Sequence, residues 1–224
     1  MVLRIVFALW LACLAAMAQE GRATVVSFGD SLTAPRKGVV TYSEVLAREL
    51  NVEVINKGVG GNSSEQARAR FAGDVLALHP NLVIIQLGTN DAAVDVWKNP
   101  PATEPRVAVA QYRRNIQFFV EELLKANSKV ILMTPNRMSW TPKLVGLYGR
   151  APYDAASDDG FNVLLDLYSD IVRGIAVREK VPLVDAAAIV PKEDLLDGMH
   201  PSSEGHRSVA NALLPVIRKM MRLP

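Results

Sequence analysis

Cysteine is nearly missing from this chain of 224 residues: Cys13 is the only one. It lies inside an uncharged run, residues 5–18, that follows Arg4 and ends in Ala16-Met17-Ala18. A basic start, an apolar stretch and a small-x-small step predict a signal peptide over residues 1–18, cut after Ala18. The mature chain, 19–224, then holds no cysteine. That excludes disulfides, thiol nucleophiles and cysteine-based metal sites. Lipid attachment at Cys13 is disfavoured because Trp10 stands where a leucine usually precedes a lipidated cysteine.

Other absences narrow the function further. Histidine occurs three times, at scattered positions, so no metal-ligand spacing is present and no metal is expected. Charge of one sign is not in excess: 25 basic residues face 23 acidic ones, a formal +2. That gives no electrostatic case for nucleic acid. The apolar run is short of the roughly 20 residues a membrane span needs, so the chain is expected to be exported, periplasmic or secreted, and free of the membrane once cut. Neither a phosphate-loop lysine nor Gly-x-Gly-x-x-Gly follows the first apolar run, which leaves nucleotide use unsupported. Repeats, linkers and low-complexity tracts are absent. Half the residues are hydrophobic and 21% are charged. Residues 19–224 therefore suit a single globular domain with a sizeable core.

Apolar runs alternate with helical stripes. Residues 24–28, 52–56, 82–87, 129–134 and 182–184 read as five strands. Helices are expected from Thr41, with Glu44 completing a capping box, and from Ser63, with Gln66 in the same role. Further helices are expected over 105–126, with Ile116, Phe119, Val120, Leu123 and Leu124 as the buried side, near 161–180, and at the end of the chain, where Val209, Leu213, Val216, Ile217 and Met220 recur at helical spacing. Such alternation implies an α/β fold with a mostly parallel sheet and helices on both faces. Two long segments, 91–105 and 135–160, follow strands. Loops of that length in a compact domain are more often functional than idle.

Four short segments carry candidate chemistry: Gly29-Asp30-Ser31-Leu32, residues 56–62, Gly88-Thr89-Asn90-Asp91 and Asp197-Gly198-Met199-His200. Read singly, each has an ordinary use as a turn or cap. Read together, they supply a nucleophile, oxyanion donors and a base with its orienting acid. Ser31 and Asn90 each come three residues after a strand. In a flavodoxin-like order, 2-1-3-4-5, strands 1 and 3 adjoin at the switch point, so both residues face one crevice. His79 precedes a strand, at the opposite sheet edge, and His206 lies within the last helix. That leaves His200 as the base, with Asp197 three residues before it to hold the imidazole's tautomer. Oxyanion donors are the Ser31 amide, the Gly61 amide and the Asn90 side chain.

These segments resemble the four blocks of the SGNH, or GDSL, hydrolase superfamily. Ser31 matches the block I serine, Gly61 the block II glycine (with Gly60 a competing alignment), Asn90 the block III asparagine, and Asp197 and His200 the last block. Asn62 departs from the aspartate that many members carry. The resemblance implies a three-layer α/β/α fold, no cofactor and hydrolysis of carboxylic esters. Among members, export and loop aromatics favour an O-acetylesterase acting on a carbohydrate. Trp97, Trp140, Tyr148 and Tyr153 lie on the two long loops and are candidate substrate contacts; Arg137 and Lys143 are candidates for a polar or acidic glycan. The alternatives are a lysophospholipase, short-chain lipase or thioesterase, for which Met133, Met138, Leu144, Val145 and Leu147 would line an apolar trough, and a glycan-binding domain without turnover.

Overall fold

The computed structural model describes residues 22–224, so the expected signal peptide and Cys13 lie outside the described residues. Five parallel strands, β1 (Thr24–Gly29), β2 (Glu53–Gly58), β3 (Leu82–Gln86), β4 (Lys129–Met133) and β5 (Leu183–Val184), form one sheet in the order β2-β1-β3-β4-β5. Helices cover both faces, which is the three-layer arrangement the sequence implies. The strand register matters for function. Gly29 pairs with Gly58 on one side and Gln86 on the other, and Gln86 pairs with Met133. All the strands therefore end on one rim.

Alternation along the strands builds two cores. Val26, Phe28, Val83, Ile85, Val130 and Leu132 pack against α2 (Ser64–Asp74), α4 (Val109–Lys125) and α6 (Val163–Glu179). Val25, Leu82, Ile84 and Ile131 face the other way, onto α1 (Tyr42–Glu49) and the last helix, α8 (Ser203–Met221). Both expected capping boxes are present: Thr41 with Glu44 at α1, and Ser63 with Gln66 at α2.

Three expectations need correction. Helix α4 starts at Val109, not at Pro105, because the Arg106 and Val107 amides donate instead to the Ala93 and Asp91 carbonyls, at 2.9 and 3.2 Å. Leu124 is 42% exposed; it falls at the edge of the arc that buries Ile116, Phe119, Val120 and Leu123. The segment 135–160 is not wholly loop. It contains α5 (Pro142–Tyr148), capped by Thr141, whose hydroxyl accepts from the Leu144 amide, and opened by Pro142. Two short helices, α3 (Thr89–Ala92) and α7 (Ala186–Ile189), complete the set. A satellite cluster of Val94, Val96, Leu144, Tyr153 and Phe161 lies beneath the long loops and gives them a core of their own.

Candidate active site

At the end of β1 the backbone turns too tightly for a side chain. A Cβ on Gly29 would lie 2.5 Å from the Gln86 carbonyl oxygen and 2.3 Å from Thr33 Oγ1. Asp30, fully buried, braces the turn: its Oδ1 accepts from the Leu32 amide at 2.9 Å, and its carbonyl accepts from the Thr33 and Ala34 amides. Ser31 is thereby set on the rim. Gly60 stands beside it, since a Cβ there would lie 4.0 Å from Ser31 Cβ. Gly61 follows with φ 77°, a left-handed conformation that favours glycine. Neither the Ser31 amide nor the Gly61 amide has an acceptor among the described residues.

His200 reaches Ser31 from the far end of the chain, with Nε2 3.0 Å from Ser31 Oγ. Its Nδ1 lies 2.9 Å from Asp197 Oδ2, and its backbone amide donates to Asp197 Oδ1 at 2.9 Å. Gly198 makes this turn possible: its φ is 81°, and a Cβ there would strike the Ser139 carbonyl oxygen at 2.3 Å. Partial burial works against the Asp197 charge. The His200 amide and ring, and Arg36 at 3.1 Å, outweigh it and hold the carboxyl well below the usual range. The other histidines are elsewhere. His79 precedes β3, and His206 is buried in α8 beside Tyr42, where burial pushes its ring down to about 4.

Asn90 sits in α3, just after Gly88. Its Nδ2 donates to the Asn62 carbonyl at 3.1 Å and approaches Asp30 Oδ2 at 3.4 Å, while its Oδ1 accepts from Arg106 Nη1 at 3.2 Å. Beneath it two carboxyl groups share the interior. Burial pushes Asp30 up to about 7; the Leu32 and Asn90 amides oppose this, and nearby Asp91 adds to it. Burial likewise pushes Asp91 up to about 6, against the pull of the Ser64 hydroxyl and amide.

A small cavity of about 90 Å³ opens beside Asn90. Its walls include Met138, Phe161, Leu164 and Met199, with Tyr148 and Tyr153 among the lining. Tyr153 also pins a loop, because its hydroxyl accepts from the Val94 amide at 2.8 Å. Trp140 stacks on Phe161 at 4.5 Å and faces a separate polar groove with Arg137 and Lys192. Arg137 is held there by Asp159 and Asp166. Trp97, 47% exposed, lies outside both linings. Among the expected trough residues, Met138 lines the cavity, Met133 and Leu144 are buried in the cores, and Val145 is exposed.

Three residues at the site carried no sequence signal. Arg70 reads as the polar face of α2, Arg106 as the start of a long helix, and Arg36 as loop. Arg36 meets Asp197 and Arg70 meets the Gly29 carbonyl across long stretches of sequence, and Arg106 meets Asp95 and Asn90 at separations of 11 and 16, which no helical or strand period marks. Among the described residues, no group of three or more His, Cys, Asp or Glu side chains could hold a metal ion. Nor is any described helix long and apolar enough to cross a membrane.

Comparison with known proteins places the fold and the family. Residues 27–208 match the model of the GDSL-like Lipase/Acylhydrolase family. The chain is 35% identical over 187 residues to the uncharacterized lipoprotein YqeF of Bacillus subtilis, covering 74% of this chain and 72% of that one. It is 29% identical over 199 residues to an acetylxylan esterase of Geobacillus stearothermophilus, covering 84% and 82%. A solved structure of a catalytic mutant of an acetylxylan esterase from that organism superposes with a TM-score of 0.69 at 23% identity, over 89% of this chain and 94% of that one. The match spans the rim segments from the strand before Ser31 to the helix after His200; the chain belongs to the GDSL-like lipase/acylhydrolase family and is an SGNH-type serine esterase.

Proposed function

We propose that this esterase removes short acyl groups, acetyl above all, from a carbohydrate through an acyl-enzyme on Ser31. The observation that carries the reading is the 3.0 Å approach of His200 Nε2 to Ser31 Oγ, across 169 positions of sequence. In the first half-reaction Ser31 Oγ attacks the ester carbonyl carbon and His200 Nε2 takes its proton. The carbonyl oxygen becomes an oxyanion, cradled by the Ser31 and Gly61 amides and by Asn90 Nδ2. Collapse expels the alcohol, which leaves with the proton from His200. Water then attacks the acyl-enzyme, again losing a proton to His200, and the carboxylic acid departs as Ser31 recovers its hydrogen. Asp197 holds the imidazole in the required tautomer and balances its charge.

Likeness to an acetylxylan esterase supports the acetylated carbohydrate. The apolar side chains in the cavity beside Asn90 favour a second reading, a lysophospholipase or short-chain lipase. Residues 1–18 are proposed to direct export and 19–224 to form the catalytic domain; likeness to a protein named as a lipoprotein supports export.

Acetate release from acetylated xylan, beside a chain-length series of p-nitrophenyl esters, tests the substrate. The rate is expected to fall steeply beyond acetate; a maximum at eight or more carbons would replace the carbohydrate with a lipid. Ser31→Ala is expected to lower the rate at least about a thousandfold. Equal hydrolysis by variant and wild type would end the serine mechanism.

A further inference from the structure

An asparagine amide is nearly symmetric in shape, so its neighbours decide which end faces a ligand. At Asn90 they decide it in one direction. The Arg106 guanidinium, which can only donate, meets Oδ1 at 3.2 Å. The Asn62 carbonyl, which can only accept, takes one Nδ2 hydrogen at 3.1 Å, and the second, in a long 3.4 Å contact with Asp30 Oδ2, is the one an oxyanion would draw away. A flip would set oxygen against oxygen at Asn62 and an amino group against a guanidinium at Arg106.

Arg106 is itself anchored. Its Nε and Nη2 both donate to Asp95 Oδ1, at 3.0 and 2.7 Å. Lys98 Nζ reaches the other Asp95 oxygen at 2.7 Å. Asp95 is 5% exposed, and its side chain stays ionised because these two cations outweigh the effect of burial. The Arg106 backbone is fixed as well, by the hydrogen bond its amide donates to the Ala93 carbonyl at 2.9 Å. Two guanidinium nitrogens thus grip a buried anion, and the third is left for Asn90.

We propose that Arg106 is a positioning residue for ester hydrolysis. It keeps Asn90 Nδ2 toward the oxyanion, and its charge beside Oδ1 polarises the amide, so the hydrogen bond that Nδ2 donates strengthens as negative charge develops. Hydrogen bonds in such a chain reinforce one another, and more so away from bulk water. The inference rests on the reading of Asn90 as an oxyanion donor. Arg106 also lines the cavity beside Asn90, so a role in holding substrate is the rival to exclude.

The test is a double-mutant cycle in the full chain, with kcat and KM for p-nitrophenyl acetate measured separately and folding followed by thermal melting. Asn90→Ala is expected to lower kcat about 100- to 1000-fold, the usual loss of one oxyanion donor. Arg106→Gln is expected to lower kcat about 10- to 100-fold with KM within about twofold, since a neutral amide neither grips Asp95 nor polarises Asn90. In the Asn90→Ala background the same change is expected to cost less than about threefold, because the group it positions is gone. Arg106→Lys keeps the charge but cannot span both partners, and should fall between wild type and Arg106→Gln. It also serves as the folding control if the glutamine variant melts below the assay temperature. Equal losses from Arg106→Gln with and without Asn90, or a change in KM alone, would overturn the proposal. Near wild-type activity of Asn90→Ala would instead sink the oxyanion assignment beneath it.

Discussion

Asp30 lies one residue before the proposed nucleophile, fully buried, with a carboxyl pushed up to about 7 by that burial. In an unfolded chain the same group titrates near 3.8. Between those values the folded protein holds a proton that the unfolded chain has lost, so stability falls as pH rises from about 4 to about 7. Asp91, pushed up to about 6, acts with the same sign. Asp30→Asn keeps an acceptor for the Leu32 amide and removes the titration. Melting curves at pH 5 and pH 8 should therefore show the variant gaining several degrees on wild type across that interval. A constant difference between the two proteins would mean that Asp30 does not titrate there. The carboxyl was visible in the Gly-Asp-Ser motif, but its raised proton affinity was not. That depends on Asp91 and the packed rim above it, which local sequence does not describe.

Helix α2 acts on the site as an element, through one side chain. Arg70 donates to Asn62 Oδ1 at 2.7 Å, to the Lys57 carbonyl at 2.8 Å and to the Gly29 carbonyl at 2.8 Å, so the ends of β1 and β2 are tied to the Gly61 turn. Its guanidinium also lies 4.4 Å over the Phe28 ring. Arg70→Leu would remove the charged donor to Asn62 Oδ1 and to the Lys57 and Gly29 carbonyls, the last of which keeps the Val59 amide at 3.1 Å, at a cost of roughly 1.5–3 kcal/mol. It would also free the rim. We expect kcat/KM for p-nitrophenyl acetate to fall at least about tenfold at temperatures where the variant is still folded. Loss of melting temperature with unchanged kcat/KM would confine Arg70 to a structural role. The start of this helix was legible, because Ser63 and Gln66 satisfy orphan amides in a local pattern. Its contribution to the rim was not, since the polar face of an amphipathic helix looks the same whether it meets water or a neighbouring turn.

At the scale of the whole molecule, two cores on opposite faces of one sheet carry the stability while the rim carries the chemistry. Ile217, fully buried near the end of α8, belongs to the core shared with α1 and lies 17 positions beyond His200 in sequence. Ile217→Ala should cost about 2–5 kcal/mol and lower the melting temperature by roughly 5–15 °C. At 20 °C kcat should stay within about twofold, because the lost methyl groups touch nothing on the rim. A large fall in kcat with little change in melting would show that the last helix is coupled to His200 more tightly than its packing implies.

Periodicity and motif placement determined the alternation of strands and major helices and the two-sided cores, and the flavodoxin-like order they suggested is the sheet order observed; they also marked the rim segments proposed to carry the chemistry, because hydrophobic spacing and strand-to-helix turns are local properties of the chain. The 3.0 Å contact of Ser31 with His200 and the arginines that grip the rim from behind were decided only in three dimensions. Each depends on charge, hydrogen bonding or packing between segments far apart in sequence, and a guanidinium acquires its task only when folding sets an acceptor in front of it.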